Sequence, residues 1–508
     1  MNTPLSRSRH TGLIALLGAG AVLSGCVFAG PIRPAEVAVP PAFEGERGAL
    51  PAAALDRWWT AYGDPQLERL IETALARGAD ARAAEARLRE ARAIRRGALA
   101  DYNPQGDLRA GAQGQNTELL RGGDFGIGNA PGAPGTGTGT DQGQGDQNPF
   151  LQQGLVRSAN IGFDVSWELD LFGRRGAARR EAEANLAAAR FAYEASRASL
   201  AAQVADALFA ARGLALERED AAVTLRIQQQ LRATAVTRAE RGLGAETDVA
   251  RIDADLAAAE AELARLDAEL QANARALLVL TGTPFEPTAT LPLEPLLAAL
   301  PPTPDALPGE LLARRPDVRE AQARLAAAAG RLRLDELAFF PRVTLTPGVG
   351  LSDSRGGIFD ATSFVWTIAA GITAPILDRP RLAAQLRGQE ARTEQAVIAY
   401  EQAVQTAFSE SDQALLRLAA DRRRVTALTA GEVRARRAFE AAQQLYARGL
   451  TDLATLLDAE RAYRASRTNA VQSQVQALRR SVQVFNALGG GWNPAAAPAS
   501  SPPQQDTP

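Results

Sequence analysis

Apolar and polar residues alternate strictly from Ile161 to Leu171: Ile161, Phe163, Val165, Trp167, Leu169 and Leu171 are apolar, with Gly162, Asp164, Ser166, Glu168 and Asp170 between them. A period of two puts the two sets on opposite faces of a β-strand. Phe364 to Ile376 repeats the pattern, with Phe364, Trp366, Ile368, Ala370, Ile372, Ala374 and Ile376 on one face and Thr367, Gly371 and Thr373 on the other. Val343, Leu345, Val349 and Leu351 alternate with Thr344, Thr346, Gly348 and Gly350, and Leu108 to Ala112 gives a weaker fourth strand. Runs of about 10 residues suit a tilted strand that crosses a bilayer. A half-buried soluble sheet alternates in the same way, so the pattern alone leaves both open.

Elsewhere the period is helical. Gly176 to Arg241 and Arg381 to Arg448 contain no proline and are rich in alanine, leucine, glutamate and arginine, all strong helix formers. At ~1.5 Å per residue each helix would run on the order of 100 Å, too long for a globular core and suited to a coiled-coil tube. The return segments Glu246 to Leu280 and Asp452 to Leu488 are little more than half as long. Helices Ala79 to Ala100 and Asp317 to Ala338, stacked end to end on the returns, supply the remainder. Abundant alanine allows close helix approach in a tube wall; a solid bundle with an alanine-rich seam fits the periodicity equally well.

The chain is one design written twice. Asp80 to Pro104 aligns without gaps to Asp317 to Pro341, so that Ala86-Arg87-Leu88 matches Ala323-Arg324-Leu325 and Tyr102-Asn103-Pro104 matches Phe339-Phe340-Pro341. Leu171-Phe172-Gly173-Arg174 matches Ile376-Leu377-Asp378-Arg379, and Arg241-Gly242-Leu243 matches Arg448-Gly449-Leu450. The first copy carries a longer insertion, Gly111 to Gly154, whose Gly/Pro/Thr/Gln composition is that of an exposed loop. A repeat this long is an internal duplication rather than a solenoid.

The start of the chain sets the compartment. Arg7 and Arg9 precede an apolar run, Gly12 to Leu23, which suits a signal-peptide core. It ends in Leu23-Ser24-Gly25-Cys26, which resembles a bacterial lipobox, so Cys26 is expected to carry a covalent lipid after cleavage. No later run approaches ~20 consecutive apolar residues, so no transmembrane helix is expected in the mature chain. The only histidine, His10, lies in the signal, and Cys26 is the only cysteine. A mature chain with neither imidazole nor free thiol cannot build a Ser-His or Cys-His nucleophile or a common zinc site. All 56 basic residues are arginine, which also excludes Schiff-base and P-loop lysines. Beyond the lipid no cofactor is expected. Removing the signal, with its two arginines, leaves 54 basic and 58 acidic residues, a near balance that argues against nucleic acid as a partner.

Four strands cannot close a barrel. A sheet exposed to hydrocarbon can have no free edge, because each unpaired amide group there costs several kcal/mol. Closed membrane barrels start at about eight strands, so a lipid-facing sheet of four needs at least one further copy of the chain.

The most specific string is Leu312-Ala313-Arg314-Arg315-Pro316-Asp317-Val318-Arg319-Glu320-Ala321, followed by the Phe340-Pro341 break. With Asp64-Pro65-Gln66-Leu67, Leu75 to Asp80, the two Arg-Gly-Leu turns and Leu456-Leu457-Asp458-Ala459, the chain resembles the TolC-like outer-membrane efflux factors, in their lipidated NodT-type branch. The likeness runs from about Trp58 to Leu488. It implies a mostly α protein with a transmembrane β part: a homotrimer whose twelve-stranded barrel continues into a helical tunnel in the periplasm. It also implies a passive exit duct, served by a periplasmic adaptor protein and an inner-membrane pump of RND type. Under the resemblance, Arg241, Gly242, Leu243, Arg448, Gly449 and Leu450 form the hairpin tips that meet the adaptor. Thr247, Asp248, Tyr446 and Asp458 fall where members keep the periplasmic end closed. Thr455 stands where some members carry a second inward aspartate, so the acidic ring is single or double. Acids in the first turns of a helix also simply favour its positive end.

The expected division is a signal peptide at 1–25, a lipidated tether at 26–57, a first repeat at 58–281, a linker at 282–306, a second repeat at 307–490 and a tail at 491–508. Val27 to Leu55 and Asn493 to Pro508 are rich in proline and alanine and are expected to lack fixed structure. Trp58 and Trp59 are expected to pack against the outside of the helices. Trp167 and Trp366 suit an aromatic girdle at the bilayer boundary or a filled lipid face. Asp164, Glu168 and Asp170 are expected to face water. Two other classes compete with a duct: a lipid-anchored coiled coil without a pore, and an enzyme using paired carboxylates, for which no pair stands off the helix surfaces.

Overall fold

The computed structural model describes residues 30–45, 50–117, 154–242, 245–305, 307–356 and 360–493. Cys26, Leu243 and the central part of the Gly111 to Gly154 insertion lie outside the described residues. The elements are helices α1 (Pro65–Arg77) and α2 (Ala79–Ala100), strands β1 (Gln105–Thr117) and β2 (Gly154–Leu169), and helices α3 (Arg174–Glu240) and α4 (Glu246–Leu280). There follow α5 (Pro316–Leu337), β3 (Arg342–Arg355), β4 (Ala361–Thr373), α6 (Arg379–Ala447) and α7 (Leu453–Ala487). The order helix, two strands, long helix, return helix thus occurs twice. Contacts divide the chain into two compact units: a strand unit with Arg96–Arg179 and Arg333–Arg387, and a helical unit with Gly30–Arg95, Arg180–Leu332 and Gly388 onward.

In the strand unit the four strands form one antiparallel sheet in the order β1-β2-β3-β4. The register stacks residues of equal parity. Leu108, Phe163, Val349 and Trp366 form one row across the sheet, and Ala110, Ile161, Leu351 and Phe364 the next. The β2–β3 ladder skips Val165 and Ser166, opposite Thr346 and Pro347, because proline has no N–H to donate. β2 is longer than the alternation suggested at its start and ends two residues earlier. Leu171 therefore lies outside the strand, as do Ala374 and Ile376 after β4.

Asp170 lies just past the end of β2. It is exposed, and its carboxylate accepts the backbone N–H groups of Arg174 at 2.7 Å and Arg175 at 3.1 Å. It therefore caps α3, because an oxygen just before a helix satisfies donors that have no intrahelical partner.

The core of the helical unit gathers Trp58, Trp59 and Tyr62, Leu67 and Ile71 of α1, Leu208 and Phe209 of α3, Leu277 of α4, Leu418 of α6 and Phe485 of α7. Trp58 stacks on Phe485 with ring centroids 5.5 Å apart, and the Tyr62 hydroxyl lies 2.6 Å from Ser481 Oγ. Both tryptophans are buried here, packed against the helices. One window of α3 is apolar enough in composition to cross a membrane, but over half of it is buried, Val204, Leu208 and Phe209 among the core residues.

The short helices meet the returns end to end. A Cβ at Gly282, just past α4, would stand 2.6 Å from the carbonyl of Arg77, and one at Gly489, just past α7, 2.8 Å from that of Arg314. The Arg315 guanidinium closes the second junction by donating to Ala487 O at 3.1 Å.

One segment expected to lack structure is ordered in part. Residues 30–45 run extended along α6. Glu401 accepts from the Arg33 guanidinium and the Glu36 N–H, Asp412 accepts from the N–H groups of Glu44 and Gly45, and Phe43 stacks on Phe408. Carboxylates on a helix face give a proline-rich strand the backbone partners it cannot make for itself. At the other end Trp492 is buried, its indole N–H donating to Arg314 O at 2.8 Å, and residues 494–508 lie outside the described residues.

Candidate functional site

Three features of the sequence bear on function: the two faces of the sheet, the hairpin tips, and the residues just inside the tips. The sheet's alternating sets separate cleanly. Leu108, Phe163, Val349, Phe364, Trp366 and Ile368 share one parity and are all exposed, Trp366 at 68 %. The opposite face carries rows of small or polar residues, Asp107-Asp164-Gly348-Thr367 and Gly111-Asn160-Ser352-Ser363, with Val156 and Val365 as larger apolar members. Asp164 lies over Gly348, where an added Cβ would sit 2.8 Å from its carboxylate oxygen, and the hydroxyls of Ser352 and Ser363 are 2.7 Å apart. Glu168 approaches Arg174 at 3.3 Å. Trp167 stands two residues before the end of β2. Trp366 is mid-strand in β4, on the apolar face.

Such a face is unusual for a protein in water. Large contiguous apolar patches there mark contact with a membrane or another protein. Among the described residues β1 and β4 each have only one neighbouring strand, so the sheet also offers two open edges.

The tips are built by backbone chemistry. After α6, Gly449 has a φ of 71°, its N–H donates to Tyr446 O at 3.0 Å, and the N–H of Leu450 reaches back to Leu445 O at 2.9 Å. This paired closure ends a helix with a left-handed residue, which glycine adopts without a Cβ penalty. Gly242 after α3 has the same φ, with its N–H on Ala239 O at 2.9 Å. Arg241, Gly242, Arg448, Gly449 and Leu450 are all exposed.

The return helices begin differently. Asp452 caps α7, accepting the Thr455 N–H at 2.7 Å, whereas Ala245 precedes α4 without a side-chain cap. The hydroxyl and N–H of Thr455 hold the Asp452 carboxyl below the usual carboxylate range. Thr455 thus sits in the first turn as the cap's partner.

The four candidate closing residues separate into two environments. Thr247 is exposed and Asp248 half-buried in the first turn of α4. Tyr446 packs on the apolar cluster of Ala235, Ile252, Leu453 and Leu457, where α3, α4 and α7 meet, and the Arg238 guanidinium lies 5.0 Å from its ring centre. Asp458 is 76 % exposed and lies 3.6 Å from Arg461 one turn on. Arg461 in turn makes a two-pronged bond to Asp255 of α4, at 2.8 and 2.9 Å. These bonds, with the charge of Asp255, hold the Arg461 pKa above its ordinary value.

Asp255 and Arg461 went unnoticed in the sequence. The signals were faint: Arg461 is three residues after Asp458, and Asp255 is one heptad after Asp248. Farther along, Arg467 binds Asp220 at 2.9 Å and Arg479 binds Asp206 at 2.7 Å, so charged pairs link α7 to both α3 and α4. Each of these half-exposed pairs contributes roughly 0–1 kcal/mol.

Comparison with known proteins decides what this combination belongs to. The family model for outer membrane efflux protein matches residues 70–283 and 307–490. The chain belongs to the outer membrane efflux protein family. It is 30% identical over 468 residues to the pyoverdine export outer membrane protein OpmQ of Pseudomonas putida, covering 91% of this chain and 94% of that one. To the toluene efflux pump outer membrane protein TtgI, also of Pseudomonas putida, it is 29% identical over 447 residues, covering 87% and 89%. The solved structure of the outer-membrane channel OprN superposes with a TM-score of 0.73 at 30% identity, over 92% of this chain and all of that one. This family member's place is the outer membrane, and its helices and four-stranded sheet have the TolC-like fold.

Proposed function

We propose that this protein is the exit duct of a tripartite efflux system, passing cargo through the outer membrane without chemistry on it. The observation that carries the reading is the exposed apolar face on a sheet with two open edges. Hydrocarbon accepts such a face only when every edge is closed. Three copies supply twelve strands, bring β4 of one beside β1 of the next, and leave the small and polar rows facing a water-filled lumen. A lipid on Cys26 adds a second hold on the membrane.

The helical unit serves the periplasmic side, where the tips at Arg241, Gly242, Leu243, Arg448, Gly449 and Leu450 meet an adaptor bound to an inner-membrane pump of RND type. Just inside the tips, Asp458 of three copies stands around one axis, where a ring of like charge binds cations and retards anions. Thr247, Asp248 and Tyr446 surround the same closure. The Arg461–Asp255 bond ties the second return helix to the first, so helix separation at the tips has to break it. Adaptor binding opens the end only so far as the adaptor binds the open form more tightly than the closed one.

Planar-bilayer recording tests this. Full-length protein should conduct ions, and Asp458→Ala should raise the conductance and weaken cation preference. Absence of current from the wild type and from Asp458→Ala and Asp255→Ala variants alike would defeat the proposal.

A further inference from the structure

The two strand-to-helix turns carry side chains that neither the core nor the sheet uses. After β2, Leu171 is 65 % exposed; after β4, Leu377 is 93 % exposed and Ile376 is also bare. These turns are copies of each other, Leu171-Phe172-Gly173-Arg174 answering Ile376-Leu377-Asp378-Arg379. Both lie within the strand unit, at the sheet end from which the long helices leave.

Each turn pairs its exposed leucine with arginines. In the first, Arg174 is committed to Glu168 at 3.3 Å and to Leu337 O, but Arg175 is exposed, its guanidinium in a 3.5 Å contact with Asn103 Oδ1 among the described residues. In the second, Arg381 is exposed and reaches Asp378 and Gln385 at 3.4 Å each. Contacts this long on exposed side chains are easily exchanged for a better anion.

We propose that these turns bind anionic phospholipid of the inner leaflet, with an acyl chain against Leu171 or Leu377 and the phosphate on Arg175 or Arg381. The inference rests on the reading that the sheet's apolar face meets lipid, and extends that face past the strand ends to the headgroup level. A soluble anion would gain nothing from bare leucines, and a hydrocarbon surface alone nothing from the arginines; only an amphiphile of negative charge uses both. The two leucine–arginine pairs are not matched residues of the repeat, since Arg175 answers Pro380 and Arg381 answers Gly176, but each sets an arginine four residues after its leucine, so every copy of the chain offers the contact twice.

The test places an environment-sensitive fluorophore on Leu377→Cys in full-length protein in nanodiscs of brominated phosphatidylglycerol or brominated phosphatidylcholine. Cys26 is the chain's only cysteine, so protein without an added cysteine reports the background. A second label on Trp366→Cys reports the sheet face. Quenching at both positions is expected. Quenching at position 377 should favour phosphatidylglycerol, and in mixed discs that preference should fall about fivefold for Arg381→Gln, as should the preference read by a label on Leu171→Cys for Arg175→Gln. Quenching at position 366 but not at 377 would overturn this proposal alone. So would a disulfide between copies through Leu377→Cys, which would make a second chain the occupant, or a lipid preference that ignores both arginine substitutions. Absence of quenching at both positions would overturn the lipid-facing reading of the sheet as well.

Discussion

Trp58 and Trp366 are the same residue in opposite circumstances. Trp58 is fully buried, stacked on Phe485 in the helical core, while Trp366 stands 68 % exposed in a row with Phe163 and Val349. The helical unit solves its solvent problem within one chain, by enclosing aromatic rings between α1, α3, α4, α6 and α7. The strand unit does not solve it at all, and a chain that leaves Phe364, Trp366 and Ile368 uncovered relies on something other than water to meet them. The contrast separates what a single copy folds from what the membrane and further copies complete.

The largest effect should come from the self-contained side. Asp64 caps α1, accepting from Gln66 N–H and Leu67 N–H, and is ion-paired with Arg212 where both side chains are buried. Asp64→Ala leaves the guanidinium buried and uncompensated, and should cost about 3–5 kcal/mol, read as a lowered melting temperature in detergent. An unchanged melting temperature would show that the pair is hydrated. On the other side, Trp366→Arg should leave the helical core intact yet cost about 2–4 kcal/mol per chain in bilayer insertion. Its signature is normal helical circular dichroism with loss of the membrane-inserted fraction. Equal loss of both signals would erase the distinction between the units.

The smallest effect concerns the segment 30–45. The Glu36 N–H, with the Arg33 guanidinium, holds the Glu401 carboxyl below its ordinary value. A carboxyl depressed in the folded state favours docking above its unfolded pKa of about 4.3, and that contribution is lost as pH falls through the lower folded value. Hydrogen exchange of residues 30–45 should therefore quicken under acid, and Glu401→Gln should be fast at neutral pH too. Exchange indifferent to both would detach the segment from α6.

How much was legible follows from period and range. The long helices, their returns and the parity of all four strands were readable because each is a local rhythm, and the observed α2 spans the very residues expected of it. Strand ends were less so: Asp170 fits the alternation and also caps a helix, and only the chain's direction after Leu169 distinguishes the two. Residues 30–45 looked unstructured because their partners, Glu401 and Asp412, lie more than 360 residues away. At the tips, the glycines were readable from helix-ending chemistry. The Asp255–Arg461 bond was hidden, since it joins two helices whose relative rotation no periodicity records.

The account stands on the sheet being finished by other copies of the same chain. The most direct test is the mass of the folded full-length protein extracted in mild detergent, measured by native mass spectrometry. Three chains per particle are expected, dissociating only as the strand signal is lost. A folded single chain that keeps its sheet and remains soluble without detergent would contradict it.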